Sequence, residues 1–197
     1  MKQTTVKILV KGYALEKSGV ERATPNTVLI IDNNLRVLVD PGSNPTALKN
    51  ALAKEGLEAK NINIIFLTHY HLDHVLNIRL FPDKDIYDGD TINRGDKIIS
   101  FDGKNIPKTN IKIIKTPGHA FEHCSLLAKT NEGKVAIAGD VWWWGSGEKQ
   151  KTDKKSLLNR KDPFVKNIKA LKESRQKILA LADFIIPGHG KMFKMER

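Results

Sequence analysis

Short apolar runs separated by turn residues characterise the first third of the chain and predict β-strands. Residues 6–10 are rich in β-branched side chains, and residues 27–31 and 35–39 are apolar runs on either side of the turn pair Asn33-Asn34. A further stretch at residues 62–67 is apolar except for Asn63 and leads directly into a polar segment. We therefore expect a strand meander followed by a buried strand.

More short strands are predicted in the rest of the chain. Residues 111–114 form one candidate, and residues 124–129 and 135–138 form a candidate hairpin. A last strand is expected at residues 184–186. Because strands and helices are mixed, and no repeat or Gly-, Ser- or Pro-rich linker divides them, we predict one α/β (α+β) domain over residues 1–197.

Two helices are predicted, one on each side of this strand-rich middle. The first covers residues 46–55 and ends at a glycine, which readily adopts the left-handed backbone found after many helices. The second covers residues 163–182, with Asp162 and Pro163 as its start signals. Turn residues and lysines dominate residues 144–155, which we expect to form a loop.

Composition limits the class of protein. The chain has 197 residues, of which 40% are apolar, and its longest unbroken apolar run has five residues. A membrane-spanning helix needs about 20, so no membrane association is expected. The N-terminal sequence lacks the apolar stretch of a secretory signal, and the single cysteine, Cys124, cannot form an internal disulfide. These features predict a cytoplasmic protein.

Basic residues exceed acidic ones, 33 to 22, which gives a net charge of +11. Lysines are spread along the chain, so the simplest interpretation is a well-solvated surface. The alternative is attraction to anions, either an anionic metabolite or nucleic acid. A local group of six basic residues between Lys149 and Lys161 follows a Ser-Gly turn and is interpreted as part of the loop.

The chemically most informative segment is Thr-His-Tyr-His-Leu-Asp-His at residues 68–74. It places four metal-ligand side chains on the turn that leaves a predicted buried strand, where sites are commonly built. Three more ligand types follow glycines close to the ends of predicted strands. The candidate metal ligands are His69, His71, Asp73, His74, His119, Asp140 and His189.

Imidazole and carboxylate ligands suit Zn²⁺, and also iron or manganese. Seven ligands exceed the four of one tetrahedral site, so two ions sharing a bridging group fit the count better. A pair of metal ions can activate a water between them and polarise the bond under attack. The ligand set therefore predicts a metal-dependent hydrolase.

The motifs H-x-H-x-D-H, T-P-G-H, G-D and P-G-H-G, together with Asp40-Pro41-Gly42, resemble those of the metallo-β-lactamase superfamily. This resemblance spans nearly the whole chain and implies a four-layer αββα sandwich. It implies that one metal binds to His69, His71 and His119, and that the second binds to Asp73, His74 and His189. It further implies that Asp140 bridges the metals, that Asp73 is catalytic and that Asp40 orients a ligand from behind.

One departure from the family pattern lies after His119. Members often carry a glycine three residues after this histidine, whereas here Glu122 and His123 follow. His123 could support a ligand, touch the substrate or begin the next strand, and Cys124 is interpreted as a small buried residue. Three consecutive indoles cannot all point inward from one strand, because side chains alternate. The substrate-pocket candidates are Tyr70, His123, Trp142, Trp143 and Trp144.

The function expected from these observations is hydrolysis by a dinuclear Zn²⁺ site, with an ester, thioester, lactone or lactam as the bond cleaved. The expected partner is a small molecule, with anionic molecules among the candidates, and a homodimer is the candidate assembly. The chain ends eight residues after His189, which argues against a glyoxalase-II-type thioesterase. The alternatives are a nuclease or phosphodiesterase acting on RNA or DNA, an iron oxygenase and a zinc-stabilised binding module.

Overall fold

The computed structural model describes residues 3–196, and within them strands dominate. The helices are α1 (Pro45–Lys54), α2 (Leu72–Val75), α3 (Lys154–Asn159) and α4 (Ile168–Leu181), with 3-10 turns at Ala59–Asn61 and Leu76–Leu80. The strands are β1 (Thr5–Val10), β2 (Tyr13–Lys17), β3 (Val20–Thr24), β4 (Thr27–Asp32), β5 (Leu35–Val39), β6 (Ile64–Phe66), β7 (Asp85–Tyr87), β8 (Thr91–Arg94), β9 (Lys97–Ser100), β10 (Lys112–Lys115), β11 (Cys124–Lys129), β12 (Lys134–Trp143), β13 (Phe184–His189) and β14 (Phe193–Lys194).

The strands form two main sheets and a separate hairpin. The first sheet has the order β1-β4-β5-β6-β7-β8-β9, and the second has the order β10-β11-β12-β13-β14. Strand β6 runs parallel to both of its neighbours, and β12 runs parallel to β13. The other pairs are antiparallel, including the β2-β3 hairpin.

Alternating side chains place the two sheets face to face with helices outside. In β4, Val28 and Ile30 pack between the sheets, whereas Leu29 packs under α1 with Leu48 and Leu52. The second sheet alternates in the same way, with one face of β12 against the first sheet and the other against α4. The predicted αββα sandwich is therefore confirmed.

The predicted strands of the meander and of the 124–138 hairpin are present, but the second helix begins later than predicted. Helix α4 starts at Ile168, where the Asn167 side chain accepts a hydrogen bond from the Ala170 backbone N–H. Asp162 and Pro163 lie in the preceding loop instead, and the Asp162 carboxylate is engaged elsewhere. Helix α3 also begins inside the segment that we expected to be a loop.

Helix α4 is fastened to the second sheet by a buried arginine. Arg175 is 1% exposed, its Nε donates to the Val141 carbonyl at 3.1 Å and its Nη1 donates to the Arg160 carbonyl at 2.6 Å. Burial lowers the pKa of this guanidinium to about 10. The described part of the chain contains no helix long and apolar enough to cross a bilayer.

We predict that Arg175→Ala lowers the free energy of unfolding by about 3 kcal/mol, because two buried carbonyls lose their donor and a cavity is left. Urea unfolding followed by circular dichroism measures this change. Lys172→Ala, on the exposed face of the same helix, is the matched control and should change stability by less than about 0.5 kcal/mol. Equal stability of the two variants would contradict the prediction.

Candidate metal centre

The seven candidate ligands lie together at one edge of the sandwich. Their ligand atoms form two groups, within each of which all atoms lie within 4.8 Å of one another. The first group is His69, His71, His119 and Asp140, and the second is Asp73, His74 and His189. Each group therefore contains at least three residues, all of them histidine or aspartate, which bind transition metals.

The ligands reach this edge from both sheets. His69 and His71 follow β6, and the adjoining turn of α2 carries Asp73 and His74. His119 follows β10, whereas Asp140 lies inside β12 and His189 ends β13. The register of β12 against β13 shifts on both sides of Gly139, so Asp140 belongs to an irregular stretch of the strand rather than to a loop after it.

The Asp140 carboxylate faces both groups at once. Its Oδ2 lies 3.4 Å from His119 Nε2 and 3.9 Å from His69 Nε2. Its Oδ1 lies 3.4 Å from His74 Nε2 and 3.8 Å from His189 Nε2. One oxygen is thus directed at each group, which is the geometry that a bridging carboxylate requires.

Three buried polar atoms at this centre have no hydrogen-bond partner among the described residues. They are His69 Nε2, His74 Nε2 and Asp140 Oδ1. A buried polar atom without a partner costs about 1–3 kcal/mol, so such atoms normally mark a bound group. Nitrogen and carboxylate oxygen are the donors that Zn²⁺, iron and manganese accept. The residues therefore fit metal ions.

Four of the imidazoles are held from behind by an oxygen atom. In each ring Nδ1 makes this contact and Nε2 faces the centre, an arrangement that fixes ligand orientation and tautomer in metal sites. The pairs are His69 with Thr68 Oγ1 at 3.0 Å, His74 with Asp40 Oδ2 at 2.8 Å, His119 with Asp162 Oδ2 at 2.7 Å and His189 with the Tyr13 carbonyl at 3.0 Å.

The Asp40 carboxylate lies behind the candidate ligand His74. It is buried, and besides His74 it accepts hydrogen bonds from the backbone N–H and the hydroxyl of Thr68 at 2.8 and 2.7 Å. Asp162 was not identified as a site residue by the sequence, because it lies 43 positions from His119 and its neighbour Pro163 indicated a helix start. The sequence carried no local signal for this pairing.

Charges within the centre are strongly coupled. Burial raises the pKa of Asp140, but His74 and His189 outweigh burial and hold that pKa well below its usual range. Burial lowers the pKa of His74, but Asp140 and Asp40 outweigh it and hold that pKa well above its usual range. Burial keeps the pKa of His69 well below its usual value, so this imidazole is neutral. A metal bound here would replace the proton of His74.

His123 supports Asp140 from the interior and is not free to bind a substrate. Burial lowers the pKa of His123 to about 3, so the ring is neutral. Its Nε2 accepts the backbone N–H of Asp140 at 3.1 Å, which leaves Nδ1–H to donate to Thr116 Oγ1 at 2.9 Å. Of the roles left open for His123, these hydrogen bonds match support of a candidate ligand, while its ring also forms part of a cavity wall.

The prediction that Trp142 and Trp144 line the pocket is wrong, because both indoles are buried at 0% and 3% exposure. Trp142 Nε1 donates to the Leu157 carbonyl at 3.0 Å, and Trp144 packs against Phe193. Alternation along β12 turns Trp143 the other way. Its ring centroid lies 6.4 Å from that of His189 and 5.6 Å from that of Phe164, so Trp143 is the indole beside the metal centre.

A cavity of about 210 Å³ adjoins the ligand segment, and half-exposed Tyr70 forms part of its wall. The Tyr70 hydroxyl donates to Asp88, and Phe121 stands beside it with 73% of its surface exposed. The cavity is lined by Tyr70, Asp88, Gly89, Asp90, Lys115, Pro117, Phe121, Glu122 and His123. A larger cavity of about 400 Å³, beside Lys7 and Glu55, contains none of the candidate ligands.

We predict that Gly188→Ala abolishes metal binding at this centre, because a Cβ at residue 188 would lie 1.8 Å from Asp140 Oδ1 and force the carboxylate away. Metal content of the purified variant after zinc loading measures the effect. Gly145→Ala is the matched control, since the nearest atom to a Cβ there is 3.9 Å away. Wild-type zinc content in Gly188→Ala would contradict the prediction.

The sequence is similar to proteins of one superfamily. The family model described as the metallo-β-lactamase superfamily matches residues 21–92. Metallo-β-lactamase domain-containing protein 1 of Xenopus laevis is 29% identical to this chain and aligns with 97% of it and 82% of the frog protein. The human protein of the same name is 31% identical over 82% of this chain and 60% of its own length.

Solved structures share the fold. A Thermotoga maritima protein described as a metallo-β-lactamase superposes with a TM-score of 0.72 at 21% identity, covering 98% of this chain and 100% of that one. AidC, a dizinc quorum-quenching lactonase with N-hexanoyl-L-homoserine bound, has a TM-score of 0.64 at 18% identity. The superposition covers 86% of this chain and 73% of AidC. A protein solved in a di-iron-bound form has a TM-score of 0.61 at 22% identity and covers 86% and 89%. On its motifs, its αββα sandwich and these likenesses, the chain belongs to the metallo-β-lactamase superfamily.

Proposed function

We propose that the protein is a dinuclear metal-dependent hydrolase that cleaves an ester, thioester, lactone or lactam bond. The observation that carries the proposal is the Asp140 carboxylate, with one oxygen directed at each of two ligand groups. In this proposal one ion is held by His69, His71 and His119. The other ion is held by Asp73, His74 and His189. When bound, the two ions would lower the pKa of a water between them and polarise the bond under attack.

The proposed catalytic residue is Asp73. Its carboxylate is 26% exposed, more than that of Asp140, so an incoming substrate can reach it. Burial raises its pKa, but the hydrogen bond from His189, whose Nε2 lies 3.2 Å from Asp73 Oδ2, and the charges of His74 and His189 together outweigh burial and lower the pKa below its usual value. An ionised, accessible carboxylate can accept the proton of the attacking water and pass it to the leaving group.

Zinc is the proposed metal, at two ions per chain. The donor set of imidazole and carboxylate suits it, and the dizinc lactonase of the same fold supports it. The donor set suits iron and manganese as well, and the di-iron-bound relative in fold keeps iron as the alternative. Cys124 does not contribute to either group, because its thiol is buried against the carbonyls of Leu67 and Thr68.

The proposed substrate is a small molecule with an apolar or ring-bearing part. Aromatic side chains stand beside the ligands, with Tyr70 and Phe121 at the cavity, Phe164 near His119 and Trp143 near His189. Aromatic faces favour such groups through their large apolar area. The N-acyl homoserine bound to the lactonase of the same fold is an example of this class.

A second candidate function is cleavage of phosphodiesters in nucleic acid. Residues 145–197 carry 14 Lys and Arg against 6 Asp and Glu, so this part of the chain accounts for +8 of the net charge of +11. An excess of this kind beside a metal centre attracts polyanions and anionic small molecules. Steep loss of binding with rising salt would favour this function over the first.

Three further proposals concern the state of the protein in the cell. A lone, buried cysteine supports a reducing, cytoplasmic location. One core between the sheets, flanked by two cores under the helices, supports a single domain over the chain. Leu72 and Leu76, exposed and four residues apart, would suit a homodimer contact, and the oligomeric state in solution tests this.

We predict that Asp73→Ala lowers kcat/KM by about 10²–10⁴-fold on whichever substrate is turned over, because a metal ligand and proton acceptor is lost. A panel of lactam, lactone, thioester, phosphodiester and short RNA substrates on zinc-loaded protein identifies that substrate. Asp83→Ala removes a carboxylate from an exposed position and is the control. Equal activity of the two variants would refute the role of Asp73.

Chelator treatment is expected to abolish turnover, since the water nucleophile depends on bound metal, and added Zn²⁺ should restore it. Metal analysis of the restored protein should find two zinc ions per chain if the bridging role of Asp140 holds. A chelated, metal-free sample that retains full activity would rule out the proposed mechanism.

A further inference from the structure

The loop between α3 and α4 reaches the metal centre through one carboxylate. Asp162 is 7% exposed, and its Oδ2 lies 2.7 Å from Nδ1 of His119. Its other oxygen, Oδ1, accepts the indole N–H of Trp143 at 3.2 Å and the backbone N–H of Phe164 at 3.0 Å. The hydrogen bonds of this carboxylate thus go to a candidate ligand and to two aromatic residues beside it.

The loop that carries Asp162 is held in place independently of that carboxylate. The Gly118 carbonyl, next to His119, accepts the backbone N–H groups of Lys166 and Asn167 at 2.8 and 2.9 Å. At the other end, Arg160 donates to the Trp143 carbonyl at 2.6 Å and pairs with both oxygens of Glu148 at 2.7 Å. Asp162 is therefore presented to His119 by a loop with two anchors.

The two aromatic residues fastened by Asp162 form what we call the aromatic wall, defined as Trp143 and Phe164. Their ring centroids lie 5.6 Å apart, and the Phe164 ring lies 6.5 Å from that of His119. Phe164 is 53% exposed, so its surface is available to a bound molecule. The wall and the ligand His119 therefore share one point of attachment.

We propose that Asp162 is a positioning residue that aligns His119 for its metal ion and at the same time fixes the aromatic wall against which the apolar part of a substrate packs. The proposal rests on the proposed metal centre. Because His119 Nε2 faces the other ligands, 3.0 Å from His71 Nδ1, Nδ1 must carry the proton and needs an acceptor behind it. Asp162 supplies that acceptor.

The variant Asp162→Asn keeps the size of the side chain but removes its charge and replaces one acceptor oxygen with an NH₂ donor. Its amide oxygen can still accept from Trp143 and Phe164, but its NH₂ group would then face the Nδ1–H of His119, which sets two donors against each other. We expect the zinc dissociation constant, measured by competition with a chromophoric chelator, to rise about 10–100-fold. After saturation with zinc, kcat should fall more than KM changes, because the wall keeps its hydrogen bonds.

Two control variants make the readout specific. Asp153→Asn removes a carboxylate from the same part of the chain, where the side chain caps α3 by accepting from Ser156 N–H at 2.9 Å, and asparagine caps a helix equally well. Its zinc affinity should stay within twofold of the wild type. Trp143→Phe removes the indole N–H that donates to Asp162 and part of the ring surface of the wall, but leaves the contact of Asp162 with His119, so zinc affinity should again stay within twofold while KM for an apolar acyl substrate rises.

A measurement on the unaltered protein covers the case in which Asp162→Asn does not fold. Long-range ¹H–¹⁵N spectra of the zinc-loaded wild type should show His119 protonated at Nδ1, with that proton exchanging slowly with water. An unprotonated Nδ1, or a zinc affinity of Asp162→Asn within twofold of the wild type, overturns the role of Asp162. A wild-type protein that binds no zinc defeats the metal centre itself and the role of Asp162 with it.

Discussion

The candidate site depends on one buried carboxylate that faces two groups of ligands. Asp140 lies in the middle of a strand, yet its oxygens are directed outward at four imidazoles. This arrangement requires space around the carboxylate, and glycines at neighbouring positions provide it. Gly139 has a φ of 52°, where a Cβ would lie 2.7 Å from His123, and Gly188 leaves room for the carboxylate itself. The glycines of the G-D and P-G-H motifs are thus explained by the close packing of β12 and β13 around the Asp140 carboxylate.

The candidate ligands are held from behind by networks of buried hydrogen bonds. Asp40 occupies the left-handed backbone region at φ 47° and joins the end of β6 to His74 through three hydrogen bonds. Behind Asp140, His123, Thr116 and Ser125 form a buried chain that ends on the Ala138 carbonyl. Such chains fix side-chain orientation before a metal arrives, which reduces the rearrangement that binding requires.

Local pattern was sufficient where a short apolar stretch is bounded by turn residues. The strands at Thr27–Asp32 and Leu35–Val39 followed from such stretches on either side of Asn33-Asn34, and the metal-ligand segment after β6 followed from its residue types. Local pattern was insufficient where a side chain contacts a residue far away along the chain. Asp162 and Pro163 have the local preferences of a helix start, but the carboxylate hydrogen-bonds to His119 and the helix begins at Ile168. The burial of Trp142 and Trp144 likewise depends on helices that pack from far along the chain.

The origin of the ligands has a mechanical consequence. Each group draws residues from both halves of the sandwich: His69 and His71 from one half meet His119 and Asp140 from the other, and Asp73 and His74 meet His189. A cation bound to either group would therefore link residues from the two halves of the sandwich. A bound cation would therefore add to the cohesion of this edge, where hydrogen bonds such as those from Cys124 N–H to the Thr68 carbonyl at 2.9 Å and from Asn26 N–H to the Gly188 carbonyl at 2.6 Å already join the two halves.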